Sequence, residues 1–197
     1  MHLIPLNQEK QPTCGEGFLD EANYERNTRK VVPGEMYGVL TGRPNRILVI
    51  DWDCYKSDFE FTEEIMVPVV GGDRAYIVKT RSGGYHTYFA WDEERFGDWK
   101  GTVGIDDFVD IRTTGNYVVG ADSPGYELLR GDIDNLPALS DELYSYLDSK
   151  VGHRVERMET DCTYTQASVT PLLEDMGFTG IHWLSGCLLY TSPSPRD

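Results

Sequence analysis

The chain has 197 residues, with 18 Lys and Arg against 33 Asp and Glu, a net charge of −15; at 40% apolar and 26% charged residues it has globular composition, which excludes a disordered chain. A pI near 4.6 excludes nucleic-acid binding through a general basic surface, because that affinity comes from Lys and Arg neutralising phosphates. No apolar run approaches the ~20 residues of a membrane span, and Met1-His2-Leu3-Ile4-Pro5 lacks a signal-peptide pattern, so a cytoplasmic protein with no membrane partner is expected.

Strand signals come first along the chain. Tyr37–Leu40 ends at Thr41-Gly42, and Arg46–Asp53 carries the apolar run Ile47-Leu48-Val49-Ile50. Ala75–Thr80, Tyr85–Trp91, Phe108–Arg112 and Tyr117–Val119 follow, each bounded by Gly, Asp or Ser turns. A short helix is expected over Ser57–Met66. A better one is expected over Ser140–Val151, where Ser140 is the N-cap, Asp141 and Glu142 fill the first turn, and Leu143, Leu147 and Val151 recur every four residues. Strands with few helices define an α+β domain over residues 1–151.

Residues 152–186 read as a linker, polar and aperiodic over Gly152–Ser168, followed by the start of a further region with a helix at Thr170–Met176. From Cys187 the composition changes abruptly to a Ser/Pro stretch, and residues 187–197 read as a non-native or disordered tail, with the natural chain continuing past about residue 186. The four cysteines, Cys14, Cys54, Cys162 and Cys187, form no Cys-x-x-Cys pair and give little support to a disulfide framework or a zinc site.

Three local patterns carry chemistry. Asp51-Trp52-Asp53 ends a buried apolar strand; side chains two apart share a face, so both carboxylates point one way and Trp52 the other. Hard oxygen ligands of this kind suit Mg²⁺ or Mn²⁺. Arg81-Ser82-Gly83-Gly84-Tyr85-His86 lies between two strands: paired glycines let backbone N–H groups approach an anion, Ser82 adds a hydroxyl, and His86 opens the next strand. The plain alternative is a hairpin turn with an exposed His. Val109-Asp110-Ile111-Arg112 supplies a third carboxylate, with Asp110 and Arg112 on one face; Asp106 and Asp107 compete with Asp110 for that place. Lys79, Arg81, Arg43 and Arg46 are candidate contacts to a nucleic-acid backbone in a chain otherwise short of positive charge.

Taken in order, an apolar strand ending in Asp-x-Asp, a Ser-Gly-Gly-x-His turn and an apolar-Asp-apolar-Arg strand followed by Gly-x-Tyr-Val-Val resemble the bifunctional primase/polymerase (prim-pol) domain of the archaeo-eukaryotic primase superfamily. Ile4-Pro5-Leu6 with Lys10-Gln11-Pro12, and Gly38-Val39-Leu40-Thr41-Gly42, look like that domain's opening strand, its Lys-x-Pro and the segment before the first acidic motif. The resemblance covers roughly residues 3–150. It implies a mixed or antiparallel sheet core flanked by helices, with the active site on the sheet face. It makes Asp51, Asp53 and Asp110 catalytic metal ligands for Mg²⁺ or Mn²⁺, and assigns Ser82, Gly83, Gly84, His86 and Arg112 to the nucleotide. The implied activity is template-directed DNA primase/polymerase in a virus, phage or plasmid. Its partners would be a single-stranded DNA template, nucleoside triphosphates and a fused or separate replicative helicase.

Competing readings are a primase-like domain that only binds nucleotide or DNA, another Asp-x-Asp phosphotransfer enzyme or nuclease, and a glycosyltransferase. Tyr55 stands where the haloacid-dehalogenase pattern wants Thr or Val, and a glycosyltransferase has no need of the His and Asp-x-Arg strands.

Overall fold

The computed structural model describes residues 1–151, except positions 28, 29, 31, 33, 57–61, 100 and 107, together with residues 179–184 and 187–191. The chain divides into two compact units, Met1–Val155 and Glu156–Asp197.

Nine strands of the first unit are described: β1 (Leu3–Pro5), β2 (Tyr37–Leu40), β3 (Ile47–Trp52), β4 (Tyr76–Lys79), β5 (Tyr85–Ala90), β6 (Thr102–Asp106), β7 (Val109–Arg112), β8 (Tyr117–Val119) and β9 (Glu127–Arg130). Four α-helices accompany them: α1 (Tyr24–Asn27), α2 (Glu63–Val69), α3 (Glu93–Phe96) and α4 (Asp141–Asp148). A six-stranded sheet has the order β6-β7-β3-β5-β4-β9, and a three-stranded sheet the order β1-β2-β8. Every pairing is antiparallel.

Strand alternation explains the layers. Leu48, Ile50 and Trp52 of β3 point to one face of the large sheet and pack with Phe89, Ile77 and Ile111, under Met66, Val70, Phe96, Leu147 and Val151 from the helical side. Val49 points to the other face with Tyr88, Val78 and Tyr76, against Ile4, Val39, Leu40, Val118 and Val119 of the small sheet. Leu48, Val49 and Ile50 are fully buried, and each contributes roughly 1.5–3 kcal/mol by leaving water. The domain is therefore three layers: helices, large sheet, small sheet.

Helix α4 starts where its sequence says it should. The Ser140 hydroxyl accepts from the Leu143 N–H at 3.2 Å, and Leu147 is buried on the inner face. The expected helix at Ser57–Met66 lies partly outside the described residues; the helix found is α2, which starts later and contains Pro68. Four of the strands and α-helices described in the first unit have no counterpart in the sequence reading, the short α1 among them. β6 and β9 extend the sheet at its two edges, and the short α3 is capped by Asp92, whose carboxylate accepts from the N–H groups of Glu94 and Arg95.

In the second unit, β10 (Thr179–Leu184) and β11 (Cys187–Thr191) pair antiparallel, from Thr179 opposite Thr191 to Leu184 opposite Cys187. β11 falls where the sequence reading put a tail. The linker at Gly152–Ser168, the helix at Thr170–Met176 and positions 192–197 lie outside the described residues.

Among the described residues no helix is long and apolar enough to cross a membrane.

Candidate functional site

The register of the large sheet assembles the site. Asp51 on β3 pairs directly with Asp110 on β7 and with His86 on β5, so the three side chains form one row across adjacent strands. One row further along, Arg112 stands opposite Val49 on the same face. Val109 and Ile111 point into the helical layer, and so does Trp52, whose indole N–H donates to the Thr87 hydroxyl at 2.9 Å. This register selects Asp110: Asp106 belongs to β6, opposite Val109, and Asp107 lies outside the described residues.

Arg112 Nη2 donates to Asp110 Oδ2 at 2.7 Å and reaches Asp51 Oδ2 at 3.4 Å, so one guanidinium nitrogen bridges both carboxylates. On the other side of Asp51, His86 Nε2 stands 3.6 Å from Oδ1. Asp51 is held with a pKa raised from 3.8 to about 6, first by burial and then by the charges of Asp53 and Asp110, against the opposing pull of Arg112. Burial, reinforced by the charges of Arg112 and Lys10, pushes His86 down to about 3, so its ring is neutral at physiological pH and the Asp51 contact is not an ion pair. His86 Nδ1 is buried with no partner in hydrogen-bond geometry, although the Val119 carbonyl beside the ring favours its charged form slightly.

Asp53 lies just past the end of β3. Its N–H continues the ladder to the Phe108 carbonyl at 2.8 Å, and its carboxylate is held by Lys56. Each carboxylate of the trio thus faces a side-chain cation. Among the described residues, no three His, Cys, Asp or Glu side chains stand at metal-centre spacing. The donor chemistry nonetheless fits a hard dication: two carboxylates face each other in register and a third raises the cost of ionising the first. Asp51, Asp110 and Asp53 are the residues that would hold it.

The Ser82-Gly83-Gly84 turn is closed by its own hydrogen bonds. The N–H of Gly83 donates to the Thr80 carbonyl and that of Gly84 to the Thr80 hydroxyl, both at 3.0 Å. The Ser82 hydroxyl lies 3.3 Å from that of Thr80. Gly84 serves another purpose: a Cβ there would meet the Trp52 carbonyl at 2.3 Å, so its absence lets the turn close on β3 and seat His86 beside Asp51.

A cavity of about 460 Å³ opens over the row, lined by Asp51, His86, Arg112, Lys10, Tyr117 and Tyr126 among others. The basic candidates are placed differently. Lys79 alternates with Val78 and so projects from the face opposite His86. Arg81 lines a neighbouring cavity of about 380 Å³, separated from the first by Tyr126, and its stem packs on Gly125. Arg43 is ion-paired with Glu93 ahead of β3, and Arg46 lines a cavity of about 620 Å³ by Ile47, at the other end of that strand from Asp51. Sequence reasoning left Lys10, Lys56, Tyr117 and Tyr126 out of the site. Lys10 was visible as part of Lys-x-Pro, but nothing local to it signals a place beside residues 51 and 86.

The domain is an antiparallel α+β fold that gathers two carboxylates, a neutral histidine and an arginine into one polar patch on an otherwise apolar sheet face. The sequence matches the Prim-Pol family, described as bifunctional DNA primase/polymerase, N-terminal, over residues 1–139, and the chain belongs to that family. A search of curated proteins returns no match.

Proposed function

We propose that this domain is a template-directed DNA primase/polymerase that joins nucleotides to a 3′-hydroxyl on a single-stranded DNA template, in the cytoplasm, during replication of a virus, phage or plasmid. The observation that carries the reading is the row Asp110–Asp51–His86 with Arg112 across its carboxylates, opening into a cavity of about 460 Å³. In the reaction the 3′-oxygen loses its proton and bonds to the α-phosphorus, while the bond to the β-phosphate oxygen breaks and pyrophosphate leaves. Mg²⁺ or Mn²⁺, held by Asp51, Asp53 and Asp110, would supply Lewis-acid activation of the hydroxyl and of the phosphate.

The chain's own groups do the rest by positioning. Neutral His86 offers one ring N–H to a phosphate oxygen from a dry wall, where a hydrogen bond is stronger than in water. Arg112 keeps the two carboxylates oriented and, having spent only Nη2 on them, presents its remaining N–H groups to the triphosphate. Arg81 lies next to the site cavity as a candidate template contact. A replicative helicase, fused or separate, is the partner this activity calls for.

A second reading, a domain that binds nucleotide or DNA without turnover, is favoured by one observation: the three carboxylates are already matched with Arg112 and Lys56. Nucleotide incorporation on a single-stranded template, with and without a primer and in Mn²⁺ or Mg²⁺, separates the two. We expect metal-dependent product that falls at least ~10²–10³-fold in Asp51→Ala. Product that survives Asp51→Ala overturns the site, and a folded protein that binds nucleotide without metal-dependent turnover establishes the second reading.

A further inference from the structure

Lys10 holds a backbone conformation that a lysine rarely adopts. Its φ is +66°, in the left-handed region where glycine is the cheap residue and other side chains are strained. Two sets of bonds hold it there. The Asn7 carboxamide oxygen accepts from the N–H groups of Glu9 and Gln11, at 3.1 and 2.8 Å, and the Lys10 N–H donates to the Asn7 carbonyl at 3.0 Å. From the other end of the domain, the Tyr117 hydroxyl donates to the Lys10 carbonyl at 3.2 Å. Tyr117 and Lys10 both line the cavity over Asp51 and His86. An over-determined, strained residue beside a charged site is the usual form of a functional constraint.

The charge delivered this way is the uncommitted one. Arg112 is engaged by Asp110 and Asp51, and His86 is neutral. Among the described residues no carboxylate pairs with Lys10; its ammonium stands 5.6 Å from the centre of the Tyr126 ring instead. A cation–π contact orients the ammonium without neutralising it, and is weak enough to yield to a phosphate. Lys10 is also near enough for its charge to disfavour a proton on His86.

We propose that Lys10 binds the β- and γ-phosphates of the incoming nucleoside triphosphate, a role that rests on the polymerase reading of the same cavity. The triphosphate brings several negative charges to a site that already holds carboxylates. A cation free of any carboxylate is what lets the tail lie there, while Arg112 stays with Asp51 and Asp110.

The test uses the full chain with Lys10→Ala, Lys10→Arg and Lys10→Gly. In primer extension, Lys10→Ala should raise the KM for nucleotide roughly 10–100-fold, the loss of one charge-assisted hydrogen bond, with kcat within a few-fold and Lys10→Arg recovering much of the loss. Primer–template affinity, read by fluorescence anisotropy, should be unchanged. Lys10→Gly should bind nucleotide as poorly as Lys10→Ala yet melt at or above the wild-type temperature, because glycine relieves the left-handed strain. An unchanged KM in Lys10→Ala, or a loss confined to primer–template affinity, overturns the proposal. Calorimetry with inorganic tripolyphosphate separates it from the activity: a wild type that extends no primer but binds tripolyphosphate through Lys10 sinks the polymerase and keeps the anion site. A wild type that extends primers with no dependence on Lys10 does the reverse.

Discussion

The two faces of the large sheet are built from the same strands and do opposite work. On the helical face, Leu48, Ile50, Trp52, Phe89 and Ile111 make a continuous apolar layer. On the other, the residues between them run Val49 and Tyr88, then break into Asp110, Asp51 and His86 where the small sheet gives way to the cavity. Ile50 and Asp51 are adjacent in sequence, and alternation alone sends one to each layer. The comparison teaches that one face supplies the stability that the other consumes: burying Asp51 with like charges for neighbours raises its pKa, which is a statement of cost.

The sharpest way to break the comparison is to substitute those two neighbours. Ile50→Ala should lose about 2–5 kcal/mol of unfolding free energy in urea, because it leaves a cavity in a closed layer. Asp51→Asn should gain about 1–3 kcal/mol at pH 7.5 in the presence of a chelator. The sign follows from the proton balance. Native Asp51 titrates near 6 and the unfolded group near 3.8, so the native state holds more protons between those values and wild-type stability falls as pH rises through them. The gain should therefore shrink towards zero as the pH approaches 4, and its absence at pH 7.5 would show that Arg112 compensates Asp51 fully. His86 gives the smallest effect and the opposite slope. Its native pKa is depressed to about 3, so the unfolded state takes up the extra proton below about pH 6.5 and stability falls as the pH drops. His86→Gln should flatten that acid limb in a melting-temperature profile, whereas an unchanged limb would mean that other groups set it.

Much of this was legible from local pattern. β2 and β8 fall at the expected residues, β3, β4, β5 and β7 within one residue of them at either end, and the opposed directions of Asp51 and Trp52 follow from a period of two. Local pattern left Asp110 level with its upstream neighbours, and only the family resemblance chose it, because its place depends on how β7 registers against a strand about 60 residues earlier. β9 was missed because its four residues, Glu-Leu-Leu-Arg, are only partly buried at a sheet edge and show no alternation. The glycine pair was legible as a tight turn, but its amides turned inward to Thr80, a choice made by one side-chain hydroxyl. Lys10 was the hardest to place: its position is set by a contact spanning 107 residues and by a backbone angle that no residue preference announces.

That long contact bears on how the protein is made. The cavity wall draws on residues 10, 51, 86, 112 and 126, and the central strand β3 pairs only with strands that emerge well after it. During synthesis the apolar run Ile47–Ile50 leaves the ribosome with no partner and stays unpaired until β5 and then β7 appear. Such high contact order slows folding and leaves the apolar β3 open to off-pathway association until about residue 112 has been added.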